Sequence, residues 1–231
     1  MSGVRQMQMV LIPALLCDDT LYRDVISALG DTVEATVMLA TQPDMRTNVA
    51  EILEKAPPQF VLVGSSFGGT VAIDIALAAP ERVIALWLND CDPGSSSADA
   101  TLGLAGMLET SADAAVNYLA GVVVRSTDTT SADTFRTMAA RVGGMTGGAQ
   151  ARALAGRADA WDRLATLRMP VLVVWGSDDA IMPLSIGERL ASTLPNVRYE
   201  VIAACGHLPV LEQPNAVTAI VREWLAPIIQ H

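Results

Sequence analysis

Phe60-Val61-Leu62-Val63-Gly64-Ser65-Ser66-Phe67-Gly68-Gly69-Thr70-Val71-Ala72-Ile73 runs an apolar segment of strand length straight into an apolar segment with the length and composition of a helix. An uninterrupted apolar run suits a strand covered on both faces, as in a parallel sheet. Between the two segments lies Gly64-x-Ser66-x-Gly68. A strand turning at once into a helix needs a sharp, strained bend. Glycines two before and two after the central residue leave room for it, so the Ser66 hydroxyl projects above the sheet edge. The helix beginning near Phe67 aims its positive end and free N–H groups at anything negative beside Ser66. Ser65 is the competing hydroxyl, but the two glycines bracket Ser66 alone.

Outward from this bend the alternation continues. Met7 to Leu16 is an apolar run of strand length, and Asp18, Asp19 and Thr20 offer cap chemistry to a helix that ends at Gly30. Val33 to Leu39, Val83 to Leu88, Val171 to Trp175 and Arg198 to Ala203 read as further strands. Asn48 to Ala56, Thr70 to Ala79 and Leu184 to Leu194 read as helices, and Ala216, Val217, Ile220, Val221, Trp224 and Leu225 recur at helical spacing in a final one. Strands alternating with helices imply an α/β fold: a mostly parallel sheet flanked by helices on right-handed crossovers. From Pro93 to Leu167 the pattern is helical without a strand, which divides the chain into a core at 1–92 and 168–231 and an insertion at 93–167. Within it, Gly143-Gly144-Met145-Thr146-Gly147-Gly148 follows no strand, matches no phosphate-binding spacing, and reads as a joint between helices.

Composition narrows the function. The chain has 231 residues, 51% of them hydrophobic, enough for a large core. A net charge of −10 repels phosphate backbones and anionic lipid heads, which argues against nucleic acid and membrane partners. Lys55 is the sole lysine, and His207 and His231 are the only histidines, leaving little material for Schiff-base chemistry or a histidine-rich metal site. No metal, nucleotide or flavin cofactor is implied. Cys17, Cys91 and Cys205 are odd in number and widely spaced, which fits a reducing, cytoplasmic setting. Arg5 before Met9–Cys17 faintly imitates a signal peptide, but Pro13 interrupts the run and no small-x-small site follows. No apolar run reaches the ~20 residues of a membrane span.

A serine hydroxyl needs a base, and elimination names one, because His207 is the only internal imidazole. It follows the last strand in Cys205-Gly206-His207-Leu208-Pro209. The base in turn needs a carboxylate to hold its tautomer. Trp175-Gly176-Ser177-Asp178-Asp179-Ala180-Ile181-Met182-Pro183 supplies two, of which spacing favours Asp179, while Asp178 suits a turn cap. Asp90 and Asp92, after the Val83–Leu88 strand, are weaker alternatives. The chain order is then Ser66, Asp179, His207. The three cysteines all follow strands, but none sits on such a bend, and a free cysteine is usually a small buried hydrophobe.

Over nearly its whole length the sequence resembles the α/β-hydrolase superfamily, through Val63–Gly69, Gly176-x-x-Asp179-x-x-x-Pro183 and Gly206-His207. The resemblance implies an oxyanion hole from the backbone N–H of Phe67 and of a residue after the first strand. In Ile12-Pro13-Ala14-Leu15-Leu16-Cys17-Asp18 that residue is Leu15, with Leu16 its neighbour, although Pro13-Ala14 stands where the family usually has His-Gly. It also implies that 93–167 is a helical cap over the pocket and that the family's two leading antiparallel strands are missing. Met107, Met138 and Met145 are then candidates to line an apolar cavity. Any inward-facing member of Arg125, Arg141, Arg152 and Arg157 could clamp a substrate carboxylate.

The expected activity is hydrolysis of small or medium acyl carboxylic esters through an acyl-enzyme on Ser66, with a small-molecule ester as the partner. Enol-lactone hydrolysis, C–C bond hydrolysis and perhydrolysis by the same triad are alternatives, and a slow or non-catalytic ligand receptor on this fold is another. The substrate and the oligomeric state are not encoded in readable motifs.

Overall fold

A computed structural model describes residues 6–229, so Arg5 and His231 lie outside the described residues. Six strands form one sheet: β1 Met7–Ile12, β2 Val33–Val37, β3 Phe60–Ser65, β4 Val83–Asn89, β5 Val171–Gly176 and β6 Val197–Ile202. Their order is β2-β1-β3-β4-β5-β6, and every pairing is parallel. No antiparallel strand occurs among the described residues. The helices are α1 Arg23–Leu29, α2 Met45–Lys55, α3 Phe67–Ala78, α4 Ala98–Thr110, α5 Ala112–Ala120, α6 Thr129–Val142, α7 Gly144–Ala155, α8 Leu184–Thr193, α9 Pro209–Glu212 and α10 Pro214–Ile229.

Side chains alternate across the sheet, and each face has its own core. Met9, Leu11, Val61, Val63, Trp87, Leu172 and Val174 face α1 and α10, whereas Val10, Ile12, Phe60, Leu62, Leu86, Leu88, Val173 and Trp175 face α2, α3 and α8. This explains why β3 is apolar at every position from Phe60 to Val63. The apolar circumference of α3 has a similar cause, since it is buried from Phe67 to Ile73 and again at Ile75 and Ala76.

β1 ends at Ile12, short of the apolar run, because Pro13 lacks the N–H that a further ladder bond would need. Between β4 and β5 come the inserted helices α4–α7 and a six-residue turn of 3-10 helix, Trp161–Thr166, with no strand among them. The glycine-rich segment departs from the expectation. Only Gly143, at φ 84°, is the joint, and Gly144 to Gly148 belong to α7. A Cβ on Gly144 would stand 2.2 Å from the Leu108 carbonyl oxygen, and one on Gly147 would stand 2.5 Å from Leu16 Cδ2. These glycines let α7 lie directly against α4 and against the loop after β1.

From β1 the chain moves one way to β2 and the other way to β3, so loops leaving the carboxyl ends of β1 and β3 diverge and open a crevice between them. The candidate site lies there.

Candidate active site

Ser66 is the first residue past β3 and caps α3, with φ 52° and ψ −118°. This left-handed geometry is costly for a residue with a side chain and is held from outside. The Ser66 N–H donates to the Asn89 carbonyl at 2.9 Å, and the Thr70 N–H donates to the Ser66 carbonyl at 3.0 Å. Two glycines are required by close approach. A Cβ on Gly64 would sit 2.3 Å from the Gly68 carbonyl oxygen, and one on Gly68 only 2.0 Å from that of Ile12. The second contact presses the bend against the loop after β1.

His207 lies five residues past β6 and is 2% exposed. Its Nε2 stands 2.7 Å from Ser66 Oγ, and its Nδ1 stands 2.7 Å from Asp179 Oδ2. Asp179, three residues past β5, accepts at Oδ1 from the N–H groups of Ile181 at 2.7 Å and Met182 at 2.9 Å. Burial pushes this carboxyl up. The His207 hydrogen bond and charge, with the two N–H groups, outweigh that and leave it below the usual carboxylate range. The three residues that the sequence pointed to, 141 and 28 positions apart along the chain, therefore form one continuous line of hydrogen bonds.

The alternatives are placed elsewhere. Asp178 pairs with Arg125 at 3.0 Å at the surface, and Asp92 accepts from the Gly94 N–H at 2.7 Å within its own turn. Ser65 is buried, with Tyr22 Oη at 2.9 Å and Asn89 Nδ2 at 3.1 Å from its Oγ, so its hydroxyl is committed to the interior. The three cysteines are buried and free, and burial raises each thiol above its ordinary value. That suppresses the thiolate a nucleophile requires.

Asp90, just past β4 at φ 43°, is fully buried. Its Oδ1 accepts from the Gly176 N–H at 2.9 Å, and its Oδ2 has no partner among the described residues. Ligand atoms of Asp90, Asp179 and His207 lie within 4.8 Å of one another. Burial first, and the Asp179 charge second, push the Asp90 carboxyl well above its ordinary range. The two neighbouring carboxyls are thus pushed in opposite directions, Asp90 up and Asp179 down.

Phe67 is the first residue of α3, so its N–H has no intrahelical acceptor. The neighbours in the loop after β1 differ: the Leu16 N–H donates to Gln150 Oε1 at 2.9 Å, whereas no acceptor among the described residues takes the Leu15 N–H.

Two contributors carry no sequence signal. Glu212, on α9, accepts from the N–H of Gly206 at 3.1 Å and of Leu208 at 3.3 Å, which brackets His207 on both sides, and from that of Arg125 at 3.0 Å. Gln150, on α7, is the other. Gln150 acts only on segments that the fold brings to it, and Glu212 adds one such contact, Arg125, to two local ones. Of the methionines, Met138 is fully buried, but Met107 and Met145 are 50% and 71% exposed and line no interior cavity. The four arginines named as possible clamps all have carboxylate partners, Arg125 with Asp178, Arg141 with Asp18, Arg152 with Glu109 and Arg157 with Asp74, and the remaining two of the insertion, Arg136 and Arg163, lie against Asp133 and Asp74.

The family model described as "Alpha/beta hydrolase family" matches residues 14–220. A 2-hydroxy-6-oxononadienedioate/2-hydroxy-6-oxononatrienedioate hydrolase of Burkholderia vietnamiensis is 30% identical over 176 residues, 71% of this chain and 61% of its own length. The chain thus spans less than two thirds of that relative. Two solved structures share the fold. The malate-bound esterase of Thermogutta terrifontis has a TM-score of 0.86 at 24% identity, with 96% of this chain and 90% of that one covered. The enol-lactonase of Burkholderia xenovorans has 0.87 at 16% identity, with 97% and 93% covered.

Proposed function

The chain belongs to the alpha/beta hydrolase family, and from that premise we propose that it is a serine hydrolase that cleaves small or medium acyl carboxylic esters. The observation that carries this reading is the unbroken line from Ser66 Oγ through His207 to Asp179, with 2.7 Å at both steps.

His207 presents Nδ1–H to the Asp179 carboxylate, which leaves Nε2 as the lone-pair nitrogen facing the serine. As Ser66 Oγ bonds to the ester carbonyl carbon, its proton passes to His207 Nε2 and the carbonyl becomes an oxyanion, taken by the N–H groups of Phe67 and Leu15. His207 then protonates the departing alkoxide oxygen as the C–O bond breaks. Water, losing a proton to the same Nε2, attacks the acyl-enzyme, and the acid leaves as Ser66 recovers its proton. Asp179 stays ionised, in keeping with its lowered pKa.

An ester without a free carboxylate is favoured by the inserted arginines, since each of the six already lies against a carboxylate of the protein. The relative from Burkholderia vietnamiensis, whose name denotes a dicarboxylate substrate, supports C–C bond hydrolysis as the second reading. We further propose that residues 93–167 act as a cap that shapes the pocket, and that the protein works in the cytoplasm.

The test is turnover of p-nitrophenyl esters from acetate to laurate, beside simple lactones and a carboxylate-bearing diketone, by the intact protein and by Ser66→Ala. The reading expects an ester optimum, fluorophosphonate labelling of Ser66 and loss of turnover in the variant. Retention of most activity by Ser66→Ala overturns it, and a diketone optimum transfers support to the second reading.

A further inference from the structure

Gln150 is a buried polar side chain from the inserted helices, 1% exposed on α7 and bonded to the loop after β1. Each end of its amide is engaged: Oε1 accepts from the Leu16 N–H at 2.9 Å, and Nε2 donates to the Ala40 carbonyl at 3.0 Å. It thereby ties the loop after β1, 134 residues away in sequence, to the segment following β2. A buried amide with an unused end is costly, so both ends hold its rotamer.

The loop it grips is unusual. Leu16 has φ 62°, a backbone region that L side chains rarely occupy, and its fully buried side chain rests on Gly147. Two residues on, Asp18 takes a bidentate pair from Arg141 of α6, at 2.6 and 3.0 Å. The inserted helices thus hold this loop at two points. The Leu16 N–H is consumed by Gln150, and the adjacent Leu15 N–H is not.

We propose that Gln150 is a positioning residue for the chemistry at Ser66: by capturing the Leu16 N–H it turns the Leu15 N–H toward the oxyanion, so that the inserted helices complete the hole. The inference rests on the serine-hydrolase reading. Gln150 touches no reacting atom, and its effect appears where negative charge develops rather than where the ester ground state binds.

The test uses Gln150→Met, which keeps the volume but removes both hydrogen bonds, and Gln150→Glu, whose protonated form restores one acceptor and one donor. With p-nitrophenyl butyrate the expected result for Gln150→Met is a kcat lower by about 10- to 100-fold, the scale of a small misplacement at a reacting centre, with KM changed less than about twofold on the same scale. The affinity for a trifluoromethyl ketone, whose hydrate oxyanion occupies the hole, falls in step with kcat/KM, while that for the neutral product alcohol is unchanged. Gln150→Glu regains activity relative to the wild type as pH is lowered. A Gln150→Met protein with wild-type kcat and ketone affinity, or one changed only in KM, overturns the proposal. If that variant does not fold, a Gln150→Glu ratio flat with pH overturns it. Ser66→Ala keeps the two failures apart: its loss of turnover beside an unaffected Gln150→Met sinks this inference alone, whereas its retention sinks the hydrolase reading.

Discussion

Asp90 and Asp179 leave adjacent strands and bring carboxylate oxygens within 4.8 Å of each other, yet their surroundings push the two carboxyls in opposite directions, Asp90 up and Asp179 down. Asp179 has His207 and two N–H groups on its oxygens. Asp90 has one N–H and full burial, so its surroundings disfavour the charged form that those of Asp179 favour. In its neutral form the unpartnered Asp90 Oδ2 is a hydroxyl, able to donate toward its neighbour.

This asymmetry separates the two acids experimentally. Asp90→Asn keeps the acceptor for the Gly176 N–H and supplies a neutral donor, so it retains most of kcat. Asp179→Asn loses about 10⁴-fold in kcat, because an amide facing Nδ1 favours the wrong imidazole tautomer. Steady-state rates on p-nitrophenyl acetate decide the point, and the reverse ranking would move the acid role to Asp90.

The same pair has opposite consequences for stability against pH. Asp90 has a raised folded pKa, so its contribution is present at low pH and is lost as pH climbs above the unfolded value of about 4. Asp90→Asn should therefore melt progressively higher than the wild type as pH goes from about 4 to 7. Asp179 and Asp18 have lowered values. Their contributions are full above about pH 4 and vanish as pH falls through the lower folded values. Melting temperatures of the wild type and the Asp90→Asn and Asp18→Asn variants, taken across pH 3 to 7, test both signs.

Gly68 tests the tightness of the bend. A Cβ there would enter the Ile12 carbonyl at 2.0 Å, backbone that cannot turn aside as a flexible side chain could. Gly68→Ala is expected to lose at least about 100-fold in kcat by displacing Ser66 from the His207 Nε2. A variant that folds and retains wild-type kcat would show that the bend relaxes without cost.

Arg157 ties the insertion to the core. Its side chain, 1% exposed, donates to Asp74 and to the Pro93 and Gly94 carbonyls at 2.6 and 3.0 Å. Arg157→Ala leaves the Gly94 carbonyl without this donor and Asp74 with only Arg163, 3.8 Å away, and should cost about 3 kcal/mol, within the range for breaking a buried ion pair. Urea denaturation monitored by tryptophan fluorescence measures it, and a loss below about 1 kcal/mol would place this contact among the weak surface pairs.

The sequence by itself determined the alternation of strands and helices, the bend at Ser66 and the one imidazole that could stand against it. These rest on local physics: runs of one period, the space glycine leaves in a strained turn, and a chain with one internal imidazole. Phe60–Val63 announced a strand buried on both faces, and the structure buries it so. Tertiary structure alone decided the rest. Neighbouring acids such as Asp178 and Asp179 have the same local chemistry, and only the closure of β5 beside β6 turns one to His207 and the other to Arg125. Likewise the glycines of α7 read as a break until the helix is seen lying against Leu108 and Leu16. Gln150 acts on backbone groups of distant segments, and Glu212 joins the nearby Gly206 and Leu208 N–H groups to that of distant Arg125; a backbone N–H has no letter in the sequence. Which N–H lies free, and which carboxyl is pushed up rather than down, follows from burial and neighbours that exist only in the folded chain.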